Sequence, residues 1–161
     1  MKLISKLAVA FLFVVTLVSC SKDEEQPTVE QPSLVGKWTF EKQAGFYDVA
    51  EDPSKYVDYK HGCSTTKDFR IFSADTKVNE TYYWNGCDNP NAYTNLKWGW
   101  KEAGKKIFIE NVDSKRGDVY EVLQLDATTL KLKWVERYGT VLPQKDANKA
   151  MSYNYFIFKR G

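Results

Sequence analysis

The side chains whose types and spacing could support catalysis gather between Asp58 and Asp68. His61 and Ser64, with either Asp58 or Asp68, supply the residue types of a hydrolytic triad, in which an imidazole takes the serine proton and a carboxylate orients the imidazole. No nucleophile-elbow sequence surrounds Ser64, so chance proximity is the better reading. Carboxylate pairs for glycoside hydrolysis can be drawn from Glu80, Glu102, Glu110, Glu121 and Glu136, but 21 acidic residues in 161 produce such pairs without selection. Glu121 is the exception to watch, because an inward Glu121 needs Arg70, Lys133 or a tyrosine hydroxyl as partner. Asp88-Asn89-Pro90-Asn91 offers oxygens to calcium but lacks EF-hand spacing and reads as a turn. His61 is the only histidine, and Cys-rich clusters are absent, so neither metal nor cofactor is expected and the chain reads as non-enzymatic.

A thiol is the remaining reactive group. Lys2 and Lys6 give a cationic start, and Leu7 to Val18 is an apolar run interrupted only by Thr16, too short for a comfortable membrane span. Residues 1–19 therefore read as a secretory signal. Leu17-Val18-Ser19-Cys20 resembles the lipobox of bacterial lipoproteins, which implies a diacylglycerol on the Cys20 thiol and a mature chain starting there. Ser21-Lys22-Asp23-Glu24-Glu25 resembles the lysine-plus-acidic export signal of Bacteroidetes surface lipoproteins. The implied location is the outer membrane, lipid-anchored and exposed at the cell surface. Ordinary secretion with a chance cysteine, or an uncleaved anchor, is the alternative.

Loss of Lys2 and Lys6 brings the 23 basic residues level with the 21 acidic ones, so the mature chain is near neutral despite a pI of 8.3. No basic footprint for nucleic acid remains. Residues 20–33, with Pro27 and Pro32 and no apolar period, read as a flexible lipidated tether. Residues 34–161 are enough for one domain with its own core.

Those residues must fold as strands. Period-two alternation marks Leu34–Gln43, Lys67–Ser73, Lys77–Trp84, Thr94–Lys101, Lys105–Glu110, Gly117–Leu125, Thr129–Tyr138 and Met151–Lys159. In the fourth, Leu96, Trp98 and Trp100 face one way; in the sixth, Val119 and Leu123 fall out of phase with Tyr120 and Val122, which predicts a bulge or a two-sided strand. Eight consecutive strands without crossover helices predict an all-β, antiparallel up-and-down barrel. The long connections, 44–62, 85–93, 111–116 and 139–150, share one parity and alternate with the short ones, 74–76, 102–104 and 126–128. One end is trimmed and the other forms a mouth.

With Cys20 lipidated, Cys63 and Cys87 are the thiols left to an oxidising compartment, and a single disulfide is the default. A hairpin centred on Asp75 puts these two cysteines opposite each other at the mouth end. The same register opposes Arg70 to Glu80 and Phe72 to Val78 on one face. Closing the loop stabilises the fold by about 3 to 4 kcal/mol on loop-entropy grounds.

Leu34-Val35-Gly36-Lys37-Trp38 resembles the opening strand of the lipocalin-like domains of Bacteroidetes lipoproteins, and the Gly-x-Trp of lipocalins generally. That resemblance implies structural roles for Gly36, Trp38 and Arg160: the tryptophan seals the closed end and the late arginine covers it. Members of the family often carry cysteines where Cys63 and Cys87 stand. The segment from Phe46 to His61 is longer and richer in tyrosine than a minimal member needs, so the mouth is expected to be lidded or remodelled.

Aromatic side chains then define the expected function. Trp98, Leu130, Leu132 and Trp134 would line an apolar interior suited to a small hydrophobic molecule, whereas the rings in or beside the long loops, Tyr47, Trp84 and Tyr93, the last two near Asn85 and Asn95, would suit the faces of a glycan. An interior simply filled by these side chains is an equal alternative. The expected protein is a monomeric, membrane-anchored binding barrel with an outward mouth. The second reading is a protein-interaction module, an accessory subunit of an outer-membrane uptake or adhesion complex using the same loops.

Overall fold

The computed structural model describes residues 32–45, 50–141 and 154–161. Cys20 and Tyr47 lie outside these residues, as do Met151 to Tyr153 at the expected start of the last strand. The strands are β1 (Gly36–Ala44), β2 (Val57–Asp58), β3 (Phe69–Phe72), β4 (Lys77–Tyr82), β5 (Asn91–Lys101), β6 (Lys106–Asn111), β7 (Gly117–Leu125), β8 (Thr129–Arg137), β9 (Thr140–Val141) and β10 (Tyr155–Arg160). Apart from two-residue β2 and β9, each pairs antiparallel with its neighbour in chain order, and β10 pairs with both β8 and β1. Closure leaves the eight-stranded up-and-down barrel that the alternation predicts, with no open edge along most of the sheet.

Local chemistry accounts for the departures from expectation. β5 begins at Asn91 rather than Thr94, because Asn91, Ala92 and Tyr93 pair with Tyr82, Thr81 and Glu80. Pro90, which cannot donate to a ladder, stops it there. β1 is bulged between Phe40 and Lys42; below the bulge its free edge takes β3, and above it Lys42 and Gln43 pair with β2, inside a segment expected to be loop. β7 slips register at Val119/Tyr120 and again at Val122/Gln124, so adjacent Val119 and Tyr120 are both buried. This is the bulge that their phase predicts.

The core fills the closed half. Trp38, Phe72, Val78, Ile107, Leu130, Leu132 and Phe158 are essentially without solvent contact, and each buried side chain of this size is worth about 1.5 to 3 kcal/mol. The Trp38 indole N–H donates to Leu34 O at 2.7 Å, so its one polar atom is satisfied. The Arg160 guanidinium lies 4.3 Å over the Trp38 ring and donates to the carbonyls of Val35 and Ser33. Gly36 is required beneath it: a Cβ there would meet Arg160 Nη1 at 2.6 Å, and its φ of 141° is one that side chains rarely adopt. The short turns gather at this end, where Arg160 N bonds Thr128 O and Trp98 N bonds Thr76 O.

At the other end Cys63 and Cys87 form a disulfide. The β3–β4 register is the one expected, with Arg70 opposite Glu80 and Phe72 opposite Val78. The disulfide loop is drawn close enough to β4 that only glycine fits at Gly62, whose Cβ would overlap the Tyr83 carbonyl at 1.6 Å.

Candidate ligand-binding site

Above the packed half, the barrel opens into a cavity of about 730 Å³. Its floor comes from the inward face of β3. Phe72 on that face is fully buried; Arg70, one rung nearer the mouth, is therefore inward as well and only 6% exposed. A buried guanidinium requires partners. Its Nε lies 2.7 Å from Glu80 Oε1, and its Nη2 donates to the hydroxyls of Tyr82 (3.3 Å) and Tyr120 (3.2 Å). Tyr82 in turn donates to Glu80 Oε2 at 2.9 Å. The guanidinium also stands over the rings of Tyr120, Phe40 and Phe158, at 5.1 to 5.6 Å.

Electrostatics follow from this enclosure. Burial works against the charge on Arg70, but Glu80 and the Tyr120 and Tyr82 hydroxyls outweigh it and hold its pKa above the ordinary value. Burial raises Tyr120 to about 12, opposed by Arg70, and raises Tyr82 likewise. Asp118, at the start of β7, has its carboxyl pushed above the usual range, chiefly by burial and against the pull of Arg70 and Arg137.

Aromatic rings make the walls. Trp84 stacks on Tyr82 with centroids 5.3 Å apart, and Tyr93 meets both rings at 6.1 to 6.4 Å. From β7 and β8, across the barrel, Tyr120 and Trp134 stack at 6.3 Å, with the Arg137 guanidinium over Trp134 and Tyr138. Trp84 and Tyr138 are each 57% exposed at the rim. An arrangement of flat apolar walls over a polar floor can hold a planar or amphipathic molecule end-on.

The expected contact residues thus divide. Trp84, Tyr93 and Trp134 line the mouth cavity. Leu130 and Leu132 are core below it, and Trp98 packs edge-on against Phe72, with its indole N–H on Ser73 O at 3.1 Å, toward the trimmed end. Trp100 does not share the burial of Trp98; it is 43% exposed, and both line a second open space of about 700 Å³ at the closed end. The interior is thus packed around Leu130 and Leu132 and open toward the mouth.

Two of the residues weighed as a triad, His61 and Asp68, hold the mouth loop in place. His61 Nδ1 accepts the backbone N–H of Asp68 at 2.9 Å, and Asp68 Oδ1 accepts the backbone N–H of Tyr83 at 2.8 Å, so the pair clamps the disulfide loop to β4. Ser64 makes no hydrogen bond to His61 among the described residues. Glu121 lies opposite Lys106 and Lys133 on its neighbours and is not the partner of Arg70; Glu80 takes that place. Among the described residues, no three metal-ligating side chains converge.

Comparison with known sequences supplies one match. The profile of the family described as "Lipocalin-like domain" aligns with residues 34–132, more than half of the chain. No curated protein matches it.

Proposed function

Because the chain belongs to the lipocalin-like domain family, whose fold is generally one that binds rather than catalyses, we propose that it is a lipid-anchored outer-membrane protein whose mouth cavity binds a small hydrophobic molecule or a glycan. The observation that carries this reading is the open 730 Å³ space walled by Tyr82, Trp84, Tyr93 and Trp134 above a packed, closed half. Small-molecule sites have this size and this aromatic wall, and here polar side chains, among them Arg70, Glu80, Asn111 and Arg137, share the lining with the rings. The lipobox-like Leu17-Val18-Ser19-Cys20 supports the anchor. The first strand leaves the closed end, so a tether from Cys20 would hold that end to the membrane and present the mouth outward. Two acyl chains suffice for stable attachment.

Native mass spectrometry of the protein recovered from its own cells tests the binding reading. A discrete added mass that is lost in Trp84→Ala and Trp134→Ala supports it; bare, folded protein under all extraction conditions overturns it. Metabolic labelling with a fatty acid tests the anchor, with Cys20→Ala expected to remove the label.

One observation favours a second reading. The exposed rim rings of Trp84 and Tyr138 would suit a protein partner, as in an accessory subunit of an uptake or adhesion complex. Crosslinking from residue 84 on intact cells would then capture a single protein instead of a small molecule.

A further inference from the structure

The floor of the cavity leaves hydrogen-bond donors unused. Arg70 Nη1 is buried and has no partner, although Nε faces Glu80 and Nη2 is shared by two tyrosines. Tyr120 accepts from Arg70, but its own hydroxyl proton has no acceptor among the described residues, whereas Tyr82 spends its proton on Glu80. Buried polar groups in folded proteins are normally satisfied, and a guanidinium N–H is among the costliest to leave bare. Two unspent donors from opposite walls, β3 and β7, thus converge on one cavity floor.

We propose that this floor is a carboxylate subsite, in which Arg70 Nη1 and the Tyr120 hydroxyl donate to the acidic end of a flat, aromatic ligand whose body lies between the Tyr82–Trp84 and Tyr120–Trp134 stacks. The inference rests on the mouth cavity being a binding site and adds the chemical class of the ligand. Charge favours an anion over an amine: Arg70, Arg116 and Arg137 line the cavity against Glu80 and Asp118, an excess of one positive charge suited to a monoanion. Two carboxylates stand near the subsite: Glu80, whose charge is offset by Arg70 Nε at 2.7 Å, and Asp118, whose Oδ1 is buried without a hydrogen-bond partner among the described residues and whose carboxyl is pushed above its ordinary value by burial. Glu80 does not occupy the subsite, since its oxygens are engaged by Arg70 Nε and the Tyr82 hydroxyl.

Calorimetric titration of the purified protein with 2-naphthylacetate and with 2-naphthylethanol, its neutral counterpart of similar shape, tests this. The acid should bind at least about tenfold more tightly than the alcohol, as a charge-assisted pair of hydrogen bonds requires. Tyr120→Phe, and the doubly neutral Arg70→Gln/Glu80→Gln, which keeps the site filled and avoids an orphaned charge, should each bring the ratio of acid to alcohol affinity close to one, with the fold intact by circular dichroism. Equal affinity for acid and alcohol in the unaltered protein overturns the carboxylate subsite but leaves the cavity reading standing. A preference for acid that survives both variants places the anion on Arg116 or Arg137 and also overturns it. Binding of neither compound fails the cavity reading together with the subsite.

Discussion

Arg70 and Glu80 face each other across the β3–β4 hairpin inside the barrel, with Nε and Oε1 2.7 Å apart and side chains 7% and 12% exposed. The pair divides the interior into a dry core below and an aromatic-walled cavity above. Removing one member strands the other in a poorly solvated place, whereas removing both leaves no charge to stabilise.

Arg70→Ala or Glu80→Ala alone should therefore cost about 3 to 5 kcal/mol, while Arg70→Met/Glu80→Met should be close to neutral or stabilising. Urea unfolding of the three variants checks this. Additive losses in the double variant would show that the two groups act independently.

The Cys63–Cys87 disulfide spans 24 residues of sequence, for which loop entropy gives a stabilisation of about 3 kcal/mol, reduced to the extent that the hairpin persists in the unfolded chain. Cys63→Ser/Cys87→Ser should lower Tm and leave ligand affinity unchanged, since neither cysteine lines the cavity. Unchanged thermal stability would remove the disulfide from the account of the fold.

Arg160→Ala should cost about 1 to 3 kcal/mol, combining the loss of its contact over Trp38 with two hydrogen bonds to the Val35 and Ser33 carbonyls. Arg160→Lys should recover part of it, because an ammonium restores the charge without the planar fork. Equal losses for both variants would mean that the charge contributes nothing.

Asp118 supplies a pH dependence of definite sign. Its pKa is raised on folding, chiefly by burial, so its favourable contribution is complete below the ordinary carboxylate value and lost as pH rises through the folded one. Asp118→Asn should thus stabilise the protein at neutral pH and give no gain in strong acid, read from urea midpoints at the two pH values. Asp126 behaves oppositely: the amides of Thr128 and Thr129 and the side chain of Gln124 lower it to about 2. Its contribution is present above the ordinary value and lost as pH falls through about 2. A larger gain from Asp118→Asn in acid than at neutrality would contradict the assignment.

Strand alternation carried much of this fold, and the Asp75 hairpin register placed both the disulfide and the Arg70–Glu80 rung. What alternation does not carry is height along the barrel axis. Leu130, Leu132 and Trp134 share a face, but the first two lie just after the 126–128 turn in the closed half, and only Trp134 reaches the cavity. Trp98 and Trp100 are separated in the same way, by depth at the trimmed end. The cavity floor was legible in part: Phe72 and Val78 are core-type residues on the face that carries Arg70 and Glu80, so that charge pair had to be internal. Its tyrosine partners were not legible: the phase of Val119 and Tyr120 predicts a bulge or a two-sided strand, but which ring then reaches Arg70 is set by the pairing with β8.

The five tryptophans offer the most direct measurement. Their indole N–H resonances report from the cavity (Trp84, Trp134) and from the closed half and its rim (Trp38, Trp98, Trp100). Titration of the 15N-labelled protein with 2-naphthylacetate should shift the signals of Trp84 and Trp134, move the Arg70 guanidinium resonance, and leave Trp38 in place. Shifts confined to Trp98 and Trp100, or none at saturating ligand, would contradict a binding site at the mouth.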